Sequence, residues 1–448
     1  MLITGAALLS GESVDIRIGG GHVLAVEPGL DASRGEPVFE LAGGTVLPGL
    51  HDHHVHLWAM AAAERSVRVG PPEVTDAQGF RSALRDAKAD ADGWIRAIGY
   101  HESVAGPVDR RDLDEIEPSR PVRIQHRSGA MWLVNSAGLA KLGISDHPDG
   151  RVFRQDRLFA GLTGKPTLDL SHVSRRLTSY GVTGVTEATP DLDAADIEML
   201  AAEIDSGRLA QHLHVLGVEP QSVFPRMSFG AVKRILDDAT LDVFELEQWI
   251  GIQHAANRLV AVHCVTDVQL VATISALSTV GVLPGDRIEH AAVVPDDCLA
   301  PLVDLGLTVV TQPNFVAERG IEYLSDIPTA ELPSLWRVAS LIDSGIAVAG
   351  STDAPFGSPD PWAAMRAARD RRVSDGRRLG PDESITARMA LELFLGIPHE
   401  PAVPRQVVPG MAADLCLLSA RPREVLGELT AELVAATVIA GRVTTSAK

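Results

Sequence analysis

Four histidines fall within six residues in Leu50-His51-Asp52-His53-His54-Val55-His56, directly after the break Leu47-Pro48-Gly49. On an extended strand the side chains alternate, so Asp52, His54 and His56 point to one side and His51, His53 and Val55 to the other. Imidazoles at i and i+2 can both offer a ring nitrogen to one cation. A histidine cluster alone is more often a polar turn or a surface metal scavenger, so its meaning depends on what later segments bring to it.

Several apolar runs further along end in a side chain able to bind a metal. Residues 259–262 lead into His263, Arg287-Ile288-Glu289 into His290, and 346–352 into Asp353. Brought to one place, His54, His56, His263, His290 and Asp353 would form a metal centre. Lys233 stands in the apolar run 230–236 and is one of only five lysines in the chain. An ammonium cannot bind a cation, but the carbamate that an amine forms with carbon dioxide is an anionic oxygen ligand able to bridge two metals. Glu187, ending Gly184-Val185-Thr186-Glu187, is a rival for that bridge.

The elements that must position these groups follow from hydrophobic periodicity. Strand-like runs at 94–98, 121–125, 184–187, 212–216, 232–236, 259–263, 286–290, 307–312 and 346–353 alternate with helical patterns at 195–204, 243–253, 268–277, 335–342 and 362–371. Such alternation predicts an α/β fold, a TIM-type (β/α)8 barrel with its catalytic groups at the carboxyl ends of the strands. The runs exceed eight, so one or two between 94 and 216 belong outside the barrel. A lid or inserted segment is expected within 58–180, where repeats are weak. Short strands with glycine turns at 2–9, 14–18, 23–26 and 38–41, and again at 413–418 and 434–439, predict that the two ends pair. The expected organisation is a small β-sandwich from 1–46 plus 404–448 and a barrel over 47–403.

Composition narrows the partners. The net charge of −19 and the lack of a basic stripe argue against nucleic acid, and no segment is apolar enough to span a bilayer. The opening Met1-Leu2-Ile3-Thr4-Gly5 has no charged leader pattern, and the scattered Cys264, Cys298 and Cys416 suit a reducing cytoplasm. A small-molecule substrate is expected, with no nucleic acid and no membrane, and a homodimer is allowed for.

Taken together, Leu47-Pro48-Gly49-Leu50 before His54-Val55-His56, Val232-Lys233 before Asp237, Val262-His263 before Asp267, Arg287-Ile288-Glu289-His290 and Gly350-Ser351-Thr352-Asp353-Ala354-Pro355 resemble the amidohydrolase superfamily, in particular its amidohydrolase 3, YtcJ-like branch. Gly99-Tyr100, Asp112-Leu113-Asp114, Asn135-Ser136, Gly181-Val182-Thr183 and Gly410-Met411-Ala412-Ala413-Asp414-Leu415 follow in the same order, so the resemblance covers nearly the whole chain. It implies one or two divalent metals, usually zinc: His54, His56 and Asp353 on one, His263 and His290 on the second, and carboxylated Lys233 between them.

Relatives commonly carry histidine where Ala130 stands, leaving His126 or Arg127 to take over that contact. The implied reaction is attack of a metal-bound hydroxide on an amide or other non-peptide C–N bond, with Asp353 as the catalytic base and then acid. An N-acyl amino acid is one substrate of that kind. Tyr100, His101, His126, Arg127, Trp132 and Gln312 are the expected substrate contacts. A one-metal deaminase and a non-catalytic binding relative are the alternatives.

Overall fold

The computed structural model describes residues 1–155, 158–159, 169–217 and 224–444. The chain divides into two compact units, Met1–His56 with Ser171–Lys448, and Leu57–Leu170.

In the first unit the predicted runs become strands, being short, β-branched and bounded by turn residues. Leu50–Val55, Val182–Glu187, His212–Val215 and Met227–Phe229 form a four-stranded parallel sheet, and Val232–Ile235, Val260–Cys264, Arg287–His290, Thr308–Thr311 and Ala347–Gly350 a five-stranded one. Among the described residues these strands pair as two sheets and not as one closed ring of hydrogen bonds. Pairing passes from one sheet to the other at Gly230-Ala231. A Cβ on Gly230 would stand 2.2 Å from His214 Nε2, so this glycine makes room for the ring. At their other edges the sheets meet through a bridge between Val55 and Ala354, with Asp353 N–H donating to His54 O at 3.0 Å and His56 N–H to Ala354 O at 2.8 Å.

The helices Ala194–Asp205, Val243–Ala255, Asp267–Val280 and Pro361–Asp370 match the predicted amphipathic segments. The pattern at 335–342 does not hold throughout. Trp336 takes a φ of 52°, which a right-handed helix cannot contain, and the α-helix runs only over Val338–Asp343.

The strand Leu50–Val55 is buried at every position. Its register partner at His51 is Gly184, where a Cβ would lie 2.5 Å from His51 Nδ1. The imidazole thus fills the space that a side chain at 184 would take.

The terminal segments build two further four-stranded sheets. Leu2–Ala7, Ser13–Gly19, His22–Glu27 and Val38–Glu40 make one, and Val46–Pro48, Leu415–Leu418, Val434–Ile439 and Arg442–Thr444 the other. Ile3, Ile16, Val23, Leu415, Leu417 and Val438 share one buried cluster, each worth about 1.5–3 kcal/mol of transfer free energy. Strand Val46–Pro48 pairs with Leu415–Leu418, so this sheet reaches past residue 46.

The second unit holds the runs at 94–98 and 121–125. Val67–Arg68, Ile95–Tyr100 and Val122–His126 pair in parallel, and Met131–Val134 and Arg151–Phe153 extend the sheet antiparallel. Asn135 is fully buried with its amide satisfied: Oδ1 accepts from Val122 N and Gly138 N, and Nδ2 donates to Glu117 O and Arg120 O. Among the described residues no helix is long and apolar enough to cross a membrane.

Candidate metal centre

His54, His56, His263, His290 and Asp353 stand at or just beyond carboxyl ends of the parallel strands, Lys233 is the second residue of Val232–Ile235, and the fold brings the six together. The His54 ring centroid lies 5.4 Å from that of His56 and 4.8 Å from that of His290, and His263 and His290 are 4.5 Å apart. Asp353 Oδ1 lies 3.3 Å from His56 Nε2 and 3.7 Å from His54 Nε2. His290 and Asp353 take φ values of 74° and 54°, and non-glycine residues adopt that region only when surrounding structure holds them there.

The outer nitrogens decide what the inner ones can do. His54 Nδ1 donates to the carboxylate of Glu289, which also accepts from Arg287 Nε. His56 Nδ1 donates to Thr189 Oγ1 at 2.9 Å, and that hydroxyl gives its own proton to Glu187 Oε1 at 2.5 Å. His290 Nδ1 donates to Gln312 Oε1 at 2.7 Å, while Gln312 Nε2 donates to Ser351 Oγ at 2.8 Å. A neutral imidazole has one ring proton, so each Nε2 keeps its lone pair. Lys233 Nζ donates to His54 Nε2 at 3.0 Å and to Ala188 O at 2.7 Å, which agrees with that assignment.

The same geometry tests whether a metal fits. Among the described residues Asp353 Oδ1 is buried without a hydrogen-bond donor, yet it faces the lone-pair side of His56 and His54. Like partial charges so close, out of water, are reconciled by a proton or a cation between them. Imidazole nitrogen with carboxylate oxygen is a donor set that suits a divalent ion.

Burial shapes the titration of the group. It holds His54 well below the usual histidine range, with the charge of Lys233 adding to the effect, and it brings the Lys233 ammonium down to about 8. Burial raises Asp52 to about 7 although Thr352 donates to it through N–H at 3.0 Å and Oγ1 at 2.5 Å.

The expected substrate contacts fare differently. Gln312 is fully buried and serves His290. Tyr100 is a core residue of the second unit, its hydroxyl donating to Gly106 O at 2.5 Å, and Trp132 packs with Trp94 and Phe159 in another cluster there. His101, His126 and Arg127 are half-buried in that same unit. Glu187 lies behind Thr189, which donates to it through both N–H and Oγ1.

Glu289, Arg287 and Thr189 are functional neighbours that sequence reasoning missed. Strict alternation puts Glu289 and His290 on opposite faces, and the positive φ at His290 is what lets both serve one centre. Thr189, two residues past its strand, carries no periodic signal. A clue to Glu289 was available in its spacing from Arg287, since i and i+2 share a face.

Comparison with known proteins agrees with this geometry. The sequence pattern of the Amidohydrolase family (Amidohydro_3) matches residues 38–445. The chain is 25% identical over 437 residues to the N-substituted formamide deformylase of Arthrobacter pascens, covering 80% of this chain and 79% of that protein. It is 24% identical over 453 residues to YtcJ of Bacillus subtilis (strain 168), named as an amidohydrolase, covering 85% of each. An uncharacterized metal-dependent hydrolase from Pyrococcus horikoshii OT3 shares the fold, with a TM-score of 0.74 at 18% identity over 94% of this chain and 97% of that one. With the match running from the first terminal sheet to the last strand, the chain belongs to the amidohydrolase family, and with it to the metal-dependent hydrolases of carbon–nitrogen bonds other than peptide bonds.

Proposed function

We propose that the chain is a zinc-dependent hydrolase of small amides, acting on an N-acyl amino acid or a related amide. The observation that carries this reading is the set of imidazoles held through Nδ1 around a buried carboxylate oxygen without a donor. In it His54, His56 and Asp353 would hold one ion, His263 and His290 would hold a second, and Lys233, carboxylated by carbon dioxide, would supply an anionic oxygen ligand to them. When bound, a divalent ion supplies a Lewis acid that polarises a carbonyl and lowers the pKa of water from 15.7 to about 7.

Asp353 Oδ1 then takes the proton of the attacking water and returns it to the leaving nitrogen. Its backbone is tied to His54 O, so the carboxylate is presented with little freedom to reorient. Gln312 keeps the His290 ring in place from strand Thr308–Thr311 and its neighbour.

The reading includes closure of the two parallel sheets as one (β/α)8 barrel over 47–403, a β-sandwich from 1–46 plus 404–448, and Leu57–Leu170 as an insert. It keeps a cytoplasmic enzyme, in line with three free, buried cysteines, and a homodimer with no nucleic-acid or membrane partner. Zinc content and hydrolysis of a panel of N-acylated amines and amino acids test it together. Two zinc ions per chain with amine release are expected; a metal-replete chain that cleaves none of the panel overturns the reading.

A one-ion deaminase is the second reading, and one observation favours it. In the first unit, among the described residues, His54, His56 and Asp353 are the group whose ligand atoms all lie within 4.8 Å of one another. One zinc per chain and ammonia release would select it. Lys233→Ala separates the two further: the two-metal reading expects lost metal and rescue by a short carboxylic acid, and a fully active variant would hand the bridge to Glu187.

A further inference from the structure

We infer that Glu289 and Thr189, the latter backed by Glu187, are positioning residues that fix His54 and His56 as Nδ1–H tautomers and so set the strength of the metal centre. The inference rests on the metal-centre reading above. Its two positioning residues, Glu289 and Thr189, lie outside the proposed ligand set, and it starts from how many protons each partner has to give.

Around His54 the accounting is closed. Arg287 has only donors, and its Nε is directed at Glu289 Oε1 while Nη2 donates to His53 O at 3.0 Å. Glu289 is an acceptor on both oxygens, so the hydrogen on the His54–Glu289 contact must come from Nδ1. The side chains of His54 and Glu289 are fully buried, which shields the contact from bulk solvent.

His56 reaches the same state by another route. Thr189 could donate or accept at Oγ1, but its proton goes to Glu187 Oε1, and Thr189 N–H fixes the same carboxylate oxygen at 2.9 Å. Oγ1 is left as an acceptor for His56 Nδ1. Two buried carboxylates, one in direct contact and one through a hydroxyl, therefore hold both imidazoles of the His54-Val55-His56 pair with their lone pairs turned to Asp353. Carboxylate behind imidazole also raises the basicity of the nitrogen that faces the metal.

Glu289→Gln cannot reproduce this, because its amide must present NH2 to either Arg287 or His54, both donors. Thr189→Val keeps the shape and removes the relay, whereas Thr189→Ser keeps the hydroxyl. The test measures zinc affinity by chelator competition and the visible absorption of the cobalt-substituted protein, for wild type and these three variants, with thermal unfolding of the metal-free proteins alongside.

Glu289→Gln and Thr189→Val should bind zinc about 10–100-fold more weakly, with shifted cobalt bands, and Thr189→Ser should stay within about threefold of wild type. Wild-type affinity and spectra in Glu289→Gln and Thr189→Val overturn the inference, as does a Thr189→Ser variant as weak as Thr189→Val. If Glu289→Gln does not fold, the Thr189 pair decides. A wild-type chain that binds no zinc is a separate result, and it removes the metal-centre reading and this inference with it.

Discussion

Two histidine groups in this chain have nearly the same ingredients and opposite protonation. His54, His56 and Asp353 in one unit, and His101, Glu102 and His126 in the other, each gather ligand atoms within 4.8 Å of one another. In the first, Nδ1 gives its proton to an oxygen and Nε2 is left as a lone pair. In the second, Ser103 N–H donates to His101 Nδ1 at 3.2 Å and Ser128 N–H to His126 Nδ1 at 3.1 Å. The ring proton is then on Nε2, where His126 donates to Glu102 Oε2 at 3.0 Å. Residue types bring a metal site into reach, and the partner of the far nitrogen decides whether the near one can bind.

Asp353→Asn gives the largest expected effect. Turnover should fall by about 10³-fold, within the usual span for a lost general base, with part of the metal retained. Unchanged kcat would strip Asp353 of its proton-transfer role and leave the first group as a binding site alone. Next come paired alanine variants. His54→Ala or His56→Ala should weaken zinc binding by at least about 100-fold, while His101→Ala and His126→Ala should leave zinc stoichiometry as it was. Equal losses in both groups would break the comparison.

A third set of histidines sharpens it through pH. Burial holds His51 and His53 well below their ordinary range and brings His214 down to about 3. The unfolded chain therefore binds more protons than the folded one below about pH 6.5, and stability is lost as pH falls. Urea unfolding between pH 7 and 5 should show a slope approaching about 1.4 kcal/mol per pH unit for each such histidine. A flat profile would mean that these rings are already charged or wet in the folded state. Glu102→Gln is the smallest change, worth under about 1 kcal/mol for a partly exposed pair and nothing in bound metal.

Much of this architecture could be read before any coordinates. The runs ending at His263, His290 and Asp353 became strands that carry those residues to one place, because an apolar run closed by a polar group has few other ways to bury itself. The resemblance carried the ligand set. What could not be read were contacts that depend on backbone departures from regularity: the positive φ values at His290 and Asp353, and the break at Gly230-Ala231. Tyr100 shows the converse error. An aromatic at a strand end suggested a pocket wall, but its hydroxyl closes onto Gly106 O six residues on and the ring is spent in a local core.

The ring of His51 seated over Gly184 has a meaning for assembly of the fold. A strand carrying four imidazoles could dock one residue out of phase and still bury polar rings on both sides. Only a neighbour without a side chain can receive His51, so this contact works as a key that sets the phase. The histidine that does no chemistry thereby decides which of the others can.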